Sequence, residues 1–254
     1  MRFFIELISK INRNKKVVLN LVFVSFGLVF LLMGETNAFY KSEARIYENK
    51  FILAQIELPE KGDVVINEIM WPGSSRHELD EWVELRNMTN KEIDLTGWKL
   101  YGAGPNGHDI ELEGVIPANG YFLLMHYKTD DSKSAVSNSI KADQVDKLLH
   151  LKDQGEKLRL VAPYGVLVDE TPDIAKNNRN GGKAWAAGIA GSNGKKSGGW
   201  RSMERNEEPG DGADKSNWHT CNDDVCKSTD YWDSPNDNNY GTPKNANSEE
   251  EDAE

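Results

Sequence analysis

The chain has 254 residues, with 41 acidic against 30 basic side chains, a formal charge of −11 and 38% hydrophobic residues. That balance repels nucleic-acid phosphate, and no Lys/Arg stripe interleaved with aromatics offsets it, so the default reading is no nucleic acid as a partner. The length allows one large or two small domains; the low apolar share, with Gly, Asn, Asp and Ser abundant toward the C-terminus, predicts one ordered core with loop-rich flanks.

Residues 1–16 carry Arg2, Lys10, Arg13, Lys15 and Lys16 against Glu6, and "VVLNLVFVSFGLVFLLMG" then runs from Val17 to Gly34 without a charge. A basic start, an apolar run diluted by Asn20, Ser25 and Gly27, and Thr36-Asn37-Ala38 fit a secretory signal peptide cleaved after Ala38. The run is also near the lower length for spanning a bilayer, so residues 1–38 read alternatively as an uncleaved N-terminal membrane anchor. Either way the rest of the chain is expected to be exported. Without residues 1–38 it carries 25 basic against 39 acidic side chains, a formal charge of −14.

Residues 39–62 mix charges with scattered apolar side chains and read as a linker with a short helical piece. From Val64 to Glu170 short runs rich in Val, Ile, Leu, Trp and Tyr ("VVINEIM", "EWVELRN", "EIDLTGWKLY", "HDIELEG", "GYFLLMHY", "KLLHLK", "EKLRLVA", "VLVDE") are separated by turn segments such as "GAGPNG" and "IPANG". Regular turn punctuation without a sustained helical period predicts an all-β antiparallel sandwich or barrel. Alternation through Lys157-Leu158-Arg159-Leu160-Val161 marks a strand with one wet and one dry face. Residues 130–146 are too polar for a core strand and predict a long loop or a short exposed helix.

Residues 171–247 alternate Gly/Asn/Asp-rich turns with Trp185, Trp200, Trp218 and Trp232. Each ring would bury a large apolar area by docking on a preformed core, so this part reads as an irregular extension wrapping the sandwich, with an edge strand at "WRSMER". Residues 248–254, "SEEEDAE", read as a solvated, disordered acidic tail. Cys221 and Cys226 in "CNDDVC" predict a local disulfide, because a zinc site needs two further ligands and His219 is the one histidine nearby.

Taken in order and spacing, "VVINEIMW", "DEWVELRNMTNKEIDLTGWKLY", "GVIPANGYFLLMH" and "DQGEKLRLVAPYGVLVDE" resemble the bacterial branch of the lamin tail domain family. "SMER", "DKSNW" and "GTPKNAN" look like the C-terminal extension of those versions, and the resemblance covers residues 63–247. It implies an immunoglobulin-like β-sandwich over residues 63–170, in an exported, often envelope-associated protein that binds or builds and has no shared catalytic centre. The sequence departs from the usual "GTPGAPN"-like ending at Lys244 and Asn245. The pieces agree physically: Trp98 after the turn Gly97 can fill the space between two sheets, and Gly120 after Asn119 can take a positive φ.

No catalytic constellation stands out. His77, His108, His126, His150 and His219 are scattered, and Ser74 and Ser75 near His77 lack an oriented base or oxyanion donor. The acids inside apolar runs carry more information. Alternation puts Asp80, Trp82 and Glu84 on one strand face and Glu81, Val83 and Leu85 on the likelier core side; it puts Val64, Ile66, Glu68 and Met70 together, opposite Val65, Asn67 and Ile69. If these two strands pair, Arg86 could neutralise Glu68. The functional version is a calcium site from Glu68, Asp80, Glu81 and Glu84; the plainer one has these acids fastening turn backbone, since calcium needs six or more converging oxygens. The acidic turns "PGDGADKSN" and "DSPNDNNYG" carry the same two readings.

The expected function is therefore a non-enzymatic exported structural or binding module of the cell envelope, without cofactor unless calcium binds. Its partner is an envelope or extracellular protein or a polysaccharide, and it meets a membrane only through an uncleaved N-terminal segment. The alternatives are a carbohydrate- or calcium-binding accessory module, with exposed Trp rings as a sugar platform, and an uncharacterised hydrolase using Glu68 and Glu84.

Overall fold

In the computed structural model the described residues are 42–47, 50–55, 58–173, 185–191, 199–222, 224–234 and 237–249. The chain divides into two units, Met1–Glu57 and Leu58–Glu254. In the first, β1 (Ser42–Tyr47) and β2 (Lys50–Gln55) form an antiparallel hairpin, where the sequence reads as a linker with a helical piece. The expected signal or anchor segment and the cleavage position after Ala38 lie outside the described residues.

The second unit is all-β and immunoglobulin-like. Its larger sheet is built from β3 (Val64–Met70), β4 (Trp82–Asn87), β9 (Tyr121–Met125), β10 (Gln144–Val145), β14 (Met203–Arg205) and β15 (Trp218–Thr220), in the order β10-β9-β4-β3-β14-β15. The smaller sheet holds β6 (Trp98–Tyr101), β7 (Ile110–Leu112), β11 (Arg159–Ala162) and β12 (Val166–Glu170), in the order β12-β11-β6-β7. Two short pairs complete it: β5 (Ile93–Asp94) with β8 (Val115–Ile116), and β13 (Trp200–Arg201) with β16 (Asn239–Tyr240). The described residues contain short 3-10 turns and no α-helix.

The main core draws Val64, Ile66, Ile69, Val83, Leu85, Phe122 and Leu124 from the larger sheet and Trp98, Leu100, Leu112, Leu160 and Val168 from the smaller one, all buried. Each such side chain contributes about 1.5–3 kcal/mol by leaving water. A second cluster lies on the other face of the larger sheet: Met70, Trp82, Leu123 and Met125 are covered by Ala135, Val136, Tyr231 and Trp232. The larger sheet is thus apolar on both faces, and all seven residues of β3 are buried.

Several local expectations change. A β-bulge interrupts β3 between Ile66 and Glu68, so Val64, Ile66 and Ile69 belong to the main core while Met70 joins the outer cluster. Strict alternation had grouped Glu68 with Val64 and Ile66; one extra residue at Asn67 reverses that grouping. "KLLHLK" is no strand. Leu149 and Leu151 reach the core, but the segment's N–H groups go singly to Asp146 O, Ala103 O and a Glu81 carboxylate oxygen. "EIDLTGWKLY" splits into β5 and β6 at Gly97, which has φ 81°. In "IPANG" the positive φ falls on Asn119, at 52°, and Gly120 serves close approach instead, since a Cβ there would stand 3.0 Å from Pro117 Cβ. Residues 130–146 do form a loop, but Ser134, Ala135 and Val136 are buried and Gln144–Val145 pairs with β9.

The region after residue 171 does more than wrap the sandwich. "WRSMER" yields β14, which lies inside the larger sheet between β3 and β15, and β15 takes the edge. Ser248, at the start of the expected solvated tail, is buried.

A candidate site of buried carboxyl groups under a C-terminal strap

Strand register sets a row of polar side chains across the larger sheet. Glu84 on β4 stands opposite Glu68 on β3, Glu68 opposite Glu204 on β14, and Glu204 opposite His219 on β15. Glu68, Glu84 and Glu204 have no solvent exposure at all. Like charges directly opposite on neighbouring strands repel, and an ionised carboxylate out of water is costly, so such a row needs donors and protons.

Residues 241–248 supply the donors. Glu68 Oε1 accepts from Thr242 N at 2.9 Å, Glu84 Oε2 from Lys244 N at 2.5 Å, and Glu204 Oε2 from Ser248 N at 3.1 Å and from the Ser248 hydroxyl. Asn247 Nδ2 donates to Asn67 O at 3.0 Å and to Arg205 O at 2.7 Å, and Asn67 Nδ2 in turn reaches Glu84 Oε1 at 2.9 Å. The bulge at Asn67 thus gives the strap a docking point. Gly241 starts it because a Cβ there would stand 2.9 Å from Glu68 Oε1 and 3.1 Å from the Trp82 ring. The two residues that depart from the familiar ending are accommodated: Lys244 takes φ 66° and sends its Nζ to Asp143 at 2.6 Å and Tyr121 O at 2.8 Å.

Burial, then the neighbouring Glu204 and Glu84 carboxyls, push Glu68 well above the usual carboxylate range. Burial pushes Glu84 to about 8, against the Lys244 amide and the Asn67 side chain, which favour its anion. At the far end His219 Nδ1 lies 2.9 Å from Asn206 Oδ1, which leaves Nε2 to face Glu204 Oε2 at 3.2 Å.

The other two predicted acids sit elsewhere. Asp80 points to the outer cluster and accepts from Ala135 N at 2.7 Å; Glu81 points to the main core and accepts from Leu151 N at 3.0 Å. Burial raises both, Glu81 to about 9. The structure therefore brings together Glu68 and Glu84 of the predicted set and separates them from Asp80 and Glu81. The partner suggested for Glu68 is also replaced, because Arg86 makes a paired contact with Glu207 at 2.8 and 2.9 Å.

Residues 58–172 match the model of the Lamin Tail Domain family. That match assigns residues 58–172 to the lamin tail domain family. No curated protein matches the chain. The matched segment contains Glu68, Asp80, Glu81 and Glu84, whereas Glu204, His219 and the strap lie beyond it. The family is one of structural, immunoglobulin-like domains.

Around this lamin tail domain six tryptophans are buried, with Trp71 and Trp185 stacked 6.1 Å apart, and Trp200 is half-buried. No exposed tryptophan ring is left among the described residues to serve as the expected sugar platform. Cys221 and Cys226 are joined in a disulfide. Their sulfurs and Glu204 are the group of ligand-type atoms that converges among the described residues, but disulfide sulfur is not the thiolate that metal sites use. Ser75 N is tied to Asn239 Oδ1 at 2.9 Å, and His77 packs edge-on against Tyr127, so the Ser74-Ser75-His77 stretch is built into loop packing. Sequence reasoning missed Glu204, His219, Thr242 and Ser248 as parts of this row; the acid in the expected strand "WRSMER" and a donor-rich "GTPKNANS" were the available signals.

Proposed function

We propose that this lamin tail domain protein is a non-enzymatic structural or binding module that is exported and works at the cell envelope. The observation that supports this most is the use made of its acids. Glu68, Asp80, Glu81 and Glu84 are withdrawn from solvent, and each accepts a backbone N–H from a loop or from the strap. A carboxyl group spent in this way fixes chain geometry and offers no open position to a substrate. The N-terminal segment, with its basic start and uncharged run, supports export. The partner on this reading is an envelope or extracellular protein or a polysaccharide, met by the outer surface of the module.

The test is cell fractionation with N-terminal sequencing of the mature chain, followed by sedimentation of purified protein with isolated envelopes. The expected results are a chain in the envelope or medium that starts at Phe39 or keeps Met1 in the membrane, and co-sedimentation unchanged in Glu68→Gln and Glu84→Gln. A soluble cytoplasmic chain would overturn export. Turnover of an ester, phosphate or glycoside substrate that disappears in Glu84→Gln would overturn the non-enzymatic reading.

A further inference from the structure

The strap poses a proton-counting problem. Thr242 Oγ1 lies 2.7 Å from Glu204 Oε1 and 3.1 Å from Glu68 Oε2. A hydroxyl has one proton to donate, so it cannot satisfy two ionised carboxylates at once. The shorter contact assigns that proton to Glu204. Glu68 must then be the donor to Thr242 Oγ1, which makes it a carboxylic acid in the closed structure, and the chain of hydrogen bonds runs Glu68 to Thr242 to Glu204.

We propose that residues 241–248 form a proton-gated strap, closed while Glu68 holds its proton and released when Glu68 ionises between Glu84 and Glu204. Opening would uncover three carboxylates on the face of the larger sheet and free the C-terminal segment, a change in surface charge and shape that the rest of the sandwich need not share.

The groups facing Glu68 agree with this direction. Glu84 from β4 and Glu204 from β14 oppose its ionisation, as does its own complete burial. His219 from β15 meets Glu204, not Glu68. On the strap, the Lys244 Nζ is committed to Asp143 and Tyr121 O, while Arg86, beside Glu84, is committed to Glu207. The phenols of Tyr231 and Tyr121 feel the charge of the row and add no cation. No cation among these side chains is paired with Glu68, and the backbone donor to its carboxyl is the Thr242 amide.

Hydrogen exchange of the full chain between pH 5 and 9, corrected for the base-catalysed intrinsic rate, tests the gate. Protection at the Thr242, Lys244 and Ser248 amides should fall about tenfold per pH unit once Glu68 titrates, while β9 amides stay protected. Glu68→Gln reproduces the carboxylic acid, with an oxygen for the Thr242 amide and an N–H for its hydroxyl, and should hold the strap at all these pH values. Thr242→Val should loosen the strap throughout, and Thr242→Ser should keep the wild-type profile. Strap protection that is flat with pH in the wild type, or that falls only together with β9, would overturn the proposal. So would a Glu68→Gln protein that keeps the wild-type pH profile.

Discussion

The two faces of the larger sheet solve burial differently. The inner face is mainly apolar and meets a second sheet made from the same stretch of chain, with Val83 and Leu85 on β4 facing Leu100 and Leu160. The outer face buries as completely, yet it sets Glu68, Glu84 and Glu204 beside Trp82 under a cover that includes Tyr231, Trp232 and residues 241–248. Dispersion and the hydrophobic effect hold most of the inner face and are insensitive to pH, with Glu81 as the acid set into it. The outer face depends on hydrogen bonds to carboxyl groups and therefore on protons.

The largest effect should show whether the outer cover is integral. Trp232 has 1% exposure and sends its Nε1 to Cys226 O at 2.7 Å, so Trp232→Ala removes both a large apolar area and a buried hydrogen bond. It should cost about 3–5 kcal/mol, as much as or more than the about 2–5 kcal/mol of Leu85→Ala on the inner face. Denaturant melts of both variants decide; a Trp232→Ala cost under about 1 kcal/mol would make the cover an accessory and erase the equivalence of the faces.

A smaller effect tests pH, through Glu84 in the outer row and Glu81, the acid that points into the inner core. Glu81 and Glu84 titrate at about 9 and about 8 in the folded chain, against 4.5 as the ordinary value. Between 4.5 and those values the folded state binds more protons than the unfolded one, so stability is highest on the acid side and falls as pH rises toward 8 to 9. The lowered carboxyls of Glu207 and Asp211 act the other way, but they lose their contribution only as pH drops below the ordinary carboxylate range. Chemical denaturation at pH 5.5 and pH 8.5 should differ by about 1–3 kcal/mol in favour of the acid condition. Glu84→Gln should shrink that difference while Leu85→Ala leaves it intact. Equal stability at both pH values would mean that the acids are ionised and fully satisfied throughout.

What could be read from sequence follows the same division. The inner face was legible because Lys157 to Leu160 alternate as a half-buried strand requires, and "GYFLLMHY" and "EWVELRN" are short apolar-rich runs bounded by turn residues. The outer row was only half legible. Glu68 and Glu84 stand out as acids within apolar runs, but the bulge at Asn67 inverts the face on which Glu68 lies, and a bulge leaves no periodic mark. Glu204 and Thr242 lie 136 and 174 positions after Glu68, so nothing local announces that they meet it. "KLLHLK" misled because Leu149 and Leu151 are buried in a segment held by a carboxylate and by loop hydrogen bonds, with no ladder for the pattern to report.

The smallest effect concerns the strap's own departure from the family's ending. Lys244 adopts φ 66°, a left-handed conformation costing a side-chain-bearing residue about 1 kcal/mol relative to glycine. Its Nζ recovers part of this through Asp143, but that pair is 27% and 28% exposed, so solvent screening holds its worth to about 0–1 kcal/mol. The backbone bond from Lys244 N to Glu84 is indifferent to the side chain. Lys244→Ala keeps the strain and loses the ion pair, and should destabilise by about 1 kcal/mol; Lys244→Gly loses the pair but also the strain, and should return to within about 0.5 kcal/mol of the wild type. If thermal melts instead rank glycine below alanine, the lysine side chain is what anchors the strap at this end, and the backbone donors to the acid row are secondary.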